Sequence, residues 1–220
     1  MAALAGGLTV CILAYLVGSI PWGFLIGKLK GIDIRSHGSG NIGATNVRRV
    51  LGRPLGTLCF LLDLLKGLLP VVLIGALLGP ALLVPPDLGR ALAAGAAVSG
   101  HVWPVWLGFK GGKGVSTTLG ALVAVSWLAV LMGVVAWVVA FFLTRYVSVA
   151  SLVAAFLLPV GYVVSGQLLH HTSFGAPFWL FVLLAALIVF RHRSNIQRLR
   201  DGTEFRFGKA PQTPHEHRSA

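Results

Sequence analysis

Charge is what this sequence has least of. Only 11% of its 220 residues are charged and 56% are hydrophobic, where soluble domains carry about 25% charged residues. Together with a mean hydropathy of +0.84, this excludes an ordinary water-soluble domain and indicates a membrane protein. Cysteine is scarce as well. Cys11 and Cys59 both fall inside apolar runs, so no disulfide framework is expected and both read as small buried side chains. Several catalytic signatures are missing. The stretch GFKGGKG, 108–114, is not a Walker A motif, because Gly114 stands where Ser or Thr is required and an apolar run precedes it. There is no G-x-S-x-G elbow. Nor is there a histidine and carboxylate cluster at metal spacing; His170 and His171 are adjacent and without partners. Neither ATP hydrolysis, a metal nor any other cofactor is expected.

What the sequence has is apolar length. The runs are 4–27, 55–79, 88–107, 115–144, 147–166 and 174–190, and a crossing needs about 20 residues. The first run lacks a charged start and is too long for a signal peptide, so it reads as a true span. The fourth, at 30 residues, is long for one crossing and short for two, and charge parity decides it. Of the 18 Lys and Arg, six lie in 28–53, seven follow Phe190, two flank Gly111 and one is Arg145. Positive loops stay cytoplasmic. Splitting the fourth run near Ser126–Trp127 puts every basic cluster on that side. The expected fold is therefore an all-α polytopic membrane protein with seven transmembrane helices. Its amino terminus lies outside, and its carboxyl terminus and functional loops are cytoplasmic. The half-run 115–125 is then a short or tilted helix shielded by its neighbours. Residues 1–209 form one domain, and 210–220 read as a disordered tail.

The inner loops have the chemistry of an anion site. In GSGNIGATNVRRVLG, 38–52, glycines including Gly40 let successive N–H groups converge into a nest. Ser39, Asn41, Thr45 and Asn46 add side-chain donors, and Arg48 and Arg49 match phosphate geometry. In GFKGGKGVSTT, Gly111, Gly112 and Gly114 surround Lys113, and the helix starting at Val115 aims its N-terminus at the same point. Glycine-rich turns are common and inner positive charge follows from insertion alone. Two such loops together with Asn195 and Glu204 in the basic tail favour a binding site. Asp63 and Lys66 share a helical face and can pair, with a structural and a substrate role both open. The same holds for His101, which either packs beneath the loops or joins the site. A transporter for a phosphorylated solute would continue polar residues through the spans, where apart from Asp63 and Lys66 they are sparse. Seven spans also make a polybasic lipid anchor redundant.

GSGNIGATNVRRVLG, DLLKG, GHVWPVWLGFKGGKGVSTTLG, RYVSVAS and RHRSNIQRLRDGTE resemble, in that order, the bacterial acyl-phosphate:glycerol-3-phosphate acyltransferases. The likeness runs from about Tyr15 to Phe207. The H-x-x-x-x-D arrangement of soluble glycerolipid acyltransferases is absent. The resemblance implies a seven-span enzyme of the bacterial inner membrane that moves a fatty acyl group from acyl phosphate to glycerol 3-phosphate, giving lysophosphatidic acid. By position it implies that Ser39, Arg49, Lys113, His192 and Asn195 are catalytic, with Arg48 ranked behind Arg49. Gly40, Asn41, Thr45, Asn46, Gly111, Gly112, Gly114, Arg145, Ser148 and Glu204 would bind substrate.

Both substrates would carry phosphate, so several cations must hold two like charges together. Acyl phosphate is an activated mixed anhydride and needs no acyl-enzyme, which leaves positioning and oxyanion stabilisation as the enzyme's work. The donor phosphate is expected to take the hydroxyl proton, with His192 as the competing base. His192 then orients a phosphate or the hydroxyl, since Arg191 and Arg193 beside it disfavour its protonation and suit a phosphate-binding cluster. The expected partners are acyl phosphate, glycerol 3-phosphate and membrane lipid. A soluble acyl-phosphate synthase docking on the basic face would suit a labile donor, and nucleic acid is not expected.

Overall fold

The computed structural model describes residues 1–169 and 174–208, and all of its regular elements are helices. Residues His170 to Ser173 and the tail expected to be disordered lie outside the described residues. Helix α1 (Ala2–Gly18) and α2 (Trp22–Leu29) follow one apolar path, broken at Pro21, which has no N–H to continue the first helix. The short α3 (Ala44–Leu51) ends at Gly52, whose φ of 90° turns the chain into α4 (Arg53–Leu69). Pro70 leaves the Lys66 carbonyl without its helical partner. From there the helix widens into a π-helical stretch, Pro70–Leu78, before ending in α5 (Gly79–Ala81). Then come α6 (Pro86–Val102), α7 (Val115–Val123), α8 (Trp127–Thr144), α9 (Val147–Leu168), α10 (Ala176–Arg191) and α11 (Arg193–Arg200).

The run 115–144 breaks between α7 and α8, and α8 begins at Trp127, where charge parity splits it. Among the described residues, four helical paths are long and apolar enough to cross a membrane: Ala2–Leu29, Arg53–Ala81, Trp127–Thr144 and Val147–Leu168. A fifth arises if α10 and α11, bent by 50°, are taken together. At 17 and 9 residues, α6 and α7 fall short of the roughly 20 needed for a full crossing. Phe142, Leu143, Phe156, Trp179 and Leu183 are more than half exposed. Such a girdle belongs against lipid, and the chain is a multi-pass membrane protein.

Small residues hold the bundle together, as expected where lipid supplies no hydrophobic drive between helices. A Cβ on Gly67 would overlap the Thr117 carbonyl, and one on Gly120 would overlap that of Leu64, so α7 lies backbone to backbone on α4. The Tyr15 hydroxyl donates to the Trp103 carbonyl at 2.6 Å, tying α1 to the loop after α6. In the spans, Lys66 and Asp63 pair at 2.9 Å, both almost fully buried.

Candidate active site

The first basic loop is folded around Asn46, which is 2% exposed. Its amide donates to the carbonyls of Ile34 (3.3 Å), His37 (3.0 Å) and Asn41 (2.9 Å), and its Oδ1 accepts from the Ser39 N–H at 2.8 Å. The Gly43 N–H donates to Asn41 Oδ1, and the Gly40 N–H to the His37 carbonyl. This corrects the nest reading, because Gly40 and Asn46 spend their donors shaping the loop. The Ser39 and Thr45 hydroxyls, the Asn41 amide and both arginines are left along the wall of a cavity of about 1620 Å³.

Lys113 enters this cavity from the second loop, but the glycines before it do not. The Gly111 N–H donates to the Val102 carbonyl and that of Gly112 to His101, at 3.2 and 3.1 Å. As anion donors Gly111 and Gly112 are therefore corrected too: they fix the loop to the end of α6. Gly114, with φ of 86°, starts α7 and does line the cavity. Lys113 Nζ donates to Asn195 Oδ1. The Asn195 amide donates to Glu204 Oε1 at 2.6 Å, and Arg198 Nε to Glu204 Oε2 at 2.8 Å. A cation, an amide, a carboxylate and a second cation thus form one row. Burial pushes the Lys113 ammonium down to a pKa of about 8; Glu204 opposes this, and Arg198, Arg49 and Arg191 add to it. Burial raises the Glu204 carboxyl, but contacts from Asn195, Ser148 and Arg198 outweigh it and hold the group below its ordinary range. Ser148, buried and facing the cavity, makes no well-aligned hydrogen bond of its own.

His192 sits at the corner between α10 and α11, 3% exposed and on the cavity wall. Its Nδ1 lies 2.8 Å from the Ile188 carbonyl. A carbonyl can only accept, so Nδ1 carries the proton and Nε2 of the neutral ring is an acceptor. An accepting nitrogen fits a hydroxyl better than a phosphate oxygen, which of the two orienting roles open to His192 favours the one on the hydroxyl. Arg145, with φ of 64°, caps α8 at the rim.

Three features were not foreseen. Arg198 joins the polar row. A strap after α11 crosses the cavity mouth: the Phe207 N–H donates to the Arg145 carbonyl at 2.9 Å, and Phe205 and Phe207 lie under the guanidinium groups of Arg49 and Arg48, 4.2 and 5.4 Å from ring centre. The alternation of charged and aromatic residues in EFRF, 204–207, was the available signal. Last, the cavity continues as an apolar branch along Leu119 and Leu122 of α7, Val130, Gly133, Val134, Trp137 and Phe141 of α8, and Ala155 and Leu158 of α9.

A family model described as glycerol-3-phosphate acyltransferase matches residues 8–202. A glycerol-3-phosphate acyltransferase of Geotalea daltonii is 47% identical over 87% of this chain and 92% of its own. One of Aquifex aeolicus is 43% identical over 91% of this chain and 98% of its own. Crystal structures of PlsY, an integral membrane glycerol 3-phosphate acyltransferase, superimpose with TM-scores of 0.81 in the glycerol 3-phosphate form and 0.77 in the lysophosphatidic acid form. Their identities are 41% and 40%, and each match covers 92% of this chain and at least 95% of theirs. With the family model, the full-length relatives and the fold in agreement, the chain belongs to the glycerol-3-phosphate acyltransferase family.

Proposed function

We propose that this membrane enzyme takes its acyl group from acyl phosphate and delivers it to glycerol 3-phosphate, the first acylation of phospholipid synthesis. The carrying observation is the lining of one cavity, which holds Arg49, Lys113 and Arg198 together with apolar residues of α7, α8 and α9. Phosphate groups suit the first part and a fatty chain the second. That the matched PlsY structures are of a glycerol 3-phosphate form and a lysophosphatidic acid form supports the same acceptor and product here.

In the reaction, the glycerol hydroxyl oxygen forms a bond to the acyl carbon as the bond from that carbon to the phosphate oxygen breaks. The hydroxyl proton leaves with the departing phosphate. His192 Nε2 accepts a hydrogen bond from the hydroxyl and aims it, while Lys113 and Arg49 neutralise the phosphates. Ser39, Asn41 and Thr45 add neutral donors, and Asn195 and Glu204 hold Lys113 in place. Arg145 and Ser148 complete the rim. The polar end faces the cytoplasm in the bacterial inner membrane, and α6 and α7 complete seven crossings. A soluble synthase docking on this basic face is proposed as the source of the donor.

The test uses purified protein with palmitoyl phosphate. Phosphate release that depends on glycerol 3-phosphate supports the proposal. Release without acceptor, or acylation only from a thioester donor, overturns it.

A further inference from the structure

Lys113 follows two glycines, the least constrained kind of segment a chain can have, yet its ammonium has one defined partner in Asn195. The restraint comes from residues outside the reaction scheme above. Arg191, the last residue of α10, donates from Nε to the Gly112 carbonyl at 3.2 Å and from Nη2 to the Gly111 carbonyl at 3.1 Å. From the other side, the His101 carbonyl accepts the Gly112 N–H. The His101 ring lies so close that a Cβ on Gly112 would overlap its Nε2. That ring is backed in turn by Asp63, whose Oδ1 is 3.5 Å from His101 Nδ1 and 2.9 Å from Lys66 Nζ. Lys66 also donates to the Ile20 carbonyl at 2.7 Å.

We propose that Arg191 and His101 are positioning residues for Lys113, clamping Gly111 and Gly112 from opposite sides so that the ammonium meets the substrate phosphate at a fixed distance from His192. The two carbonyls of the loop suit the rigid planar fork of a guanidinium, whose two prongs fix both acceptors in one geometry, where an ammonium offers only rotatable donors from a single nitrogen. Since Arg191 adjoins His192 in sequence, one turn of chain sets both ends of the reacting geometry. Buried charges are costly to desolvate, and helix packing alone gives the Asp63–Lys66 pair no reason to extend to a histidine beneath the glycines. The inference rests on Lys113 binding a phosphate, as proposed above.

The test compares wild type with Arg191→Lys and His101→Asn, each as the full chain in detergent. Three things are read: kcat and KM for both substrates across pH, acetylation of Lys113 by acetic anhydride across pH by mass spectrometry, and thermal unfolding. Lys113 faces Glu204, Arg198, Arg49 and Arg191, so Arg191→Lys keeps the charge count while removing the fork. Each variant is expected to lower kcat/KM about tenfold at pH 7 and to move the Lys113 labelling midpoint from about 8 toward the ordinary lysine value of about 10.4. Adding Lys113→Ala to either variant should cost far less than it costs wild type, the mark of two changes acting through one group. A labelling midpoint that stays at about 8 in both variants, with the Lys113→Ala penalty undiminished, would overturn the clamp. Labelling needs no turnover, so a wrong donor assignment and a wrong clamp give different results.

Discussion

Burial keeps the Lys113 ammonium at a pKa of about 8, and the direction of that shift fixes two opposite pH dependences. The folded pKa lies below the unfolded one, so the folded chain loses this proton first as pH rises. Activity that needs the ammonium therefore declines through pH 8, while the stability cost of burying it is relieved between about pH 8 and the unfolded value near 10.4. The kcat/KM profile, which reports free enzyme, is expected to show the limb at 8; bound phosphate favours the charged form, so the kcat limb should lie higher. Superimposable limbs would remove Lys113 from phosphate contact. Lys113→Ala is expected to slow turnover about tenfold to a hundredfold, the loss of one charge-assisted contact worth roughly 1.5–3 kcal/mol. His192→Gln retains an acceptor near the position of Nε2 and should keep more activity than His192→Ala. A loss beyond about ten-thousandfold in the glutamine variant, with both substrates still bound, would make the imidazole the general base instead. At this scale the sequence was legible where a side chain announces its own chemistry, as Lys113, Arg49 and Asn195 do. It was not legible at Gly111 and Gly112. Their N–H groups look free until α6 brings the carbonyls of Val102 and His101 within reach, a partnership no local spacing encodes.

Helix α8 presents Val130, Gly133, Val134, Trp137, Val138, Phe141 and Phe142 to the cavity, with Arg145 at its C-cap, a recurrence at three and four residues that makes one face. Val130 to Arg145 is 15 residues, about 22 Å at the rise of an α-helix. An extended chain gains about 1.25 Å per methylene, the projection of a carbon–carbon bond, so the run from the rim at Arg145 to Val130 suits a chain on the order of 16 carbons. A side chain at Gly133 would grow toward Leu158, whose Cδ2 lies 3.2 Å from the Cβ position. Gly133→Leu is expected to reduce kcat/KM for palmitoyl phosphate about tenfold while sparing lauroyl phosphate; an equal effect on both donors would show that the chain lies elsewhere. The break between α7 and α8 was readable because insertion chemistry, through charge parity, constrains it. The π-helical widening after Pro70 and the docking of the EFRF strap were not, since both depend on which carbonyls and rings lie opposite in space.

Taken whole, the molecule puts its basic loops and its polar cavity at the same end of the bundle, so orientation and function stand or fall together. A reporter fused after Phe207 should read cytoplasmic, and one inserted within residues 167–173 external; the reverse pattern would defeat the seven-crossing arrangement. The order of the parts along the chain has a further consequence. The strap that meets Arg145, Arg48 and Arg49 is translated after every helix it ties. A nascent chain can therefore insert and pack its spans while its cavity still lacks Glu204 and the aromatic cover. The site is therefore complete only once the strap has been translated, and a chain truncated before Thr203 is expected to insert and pack its spans yet show no acyl transfer, which an assay of that truncation in membranes would check.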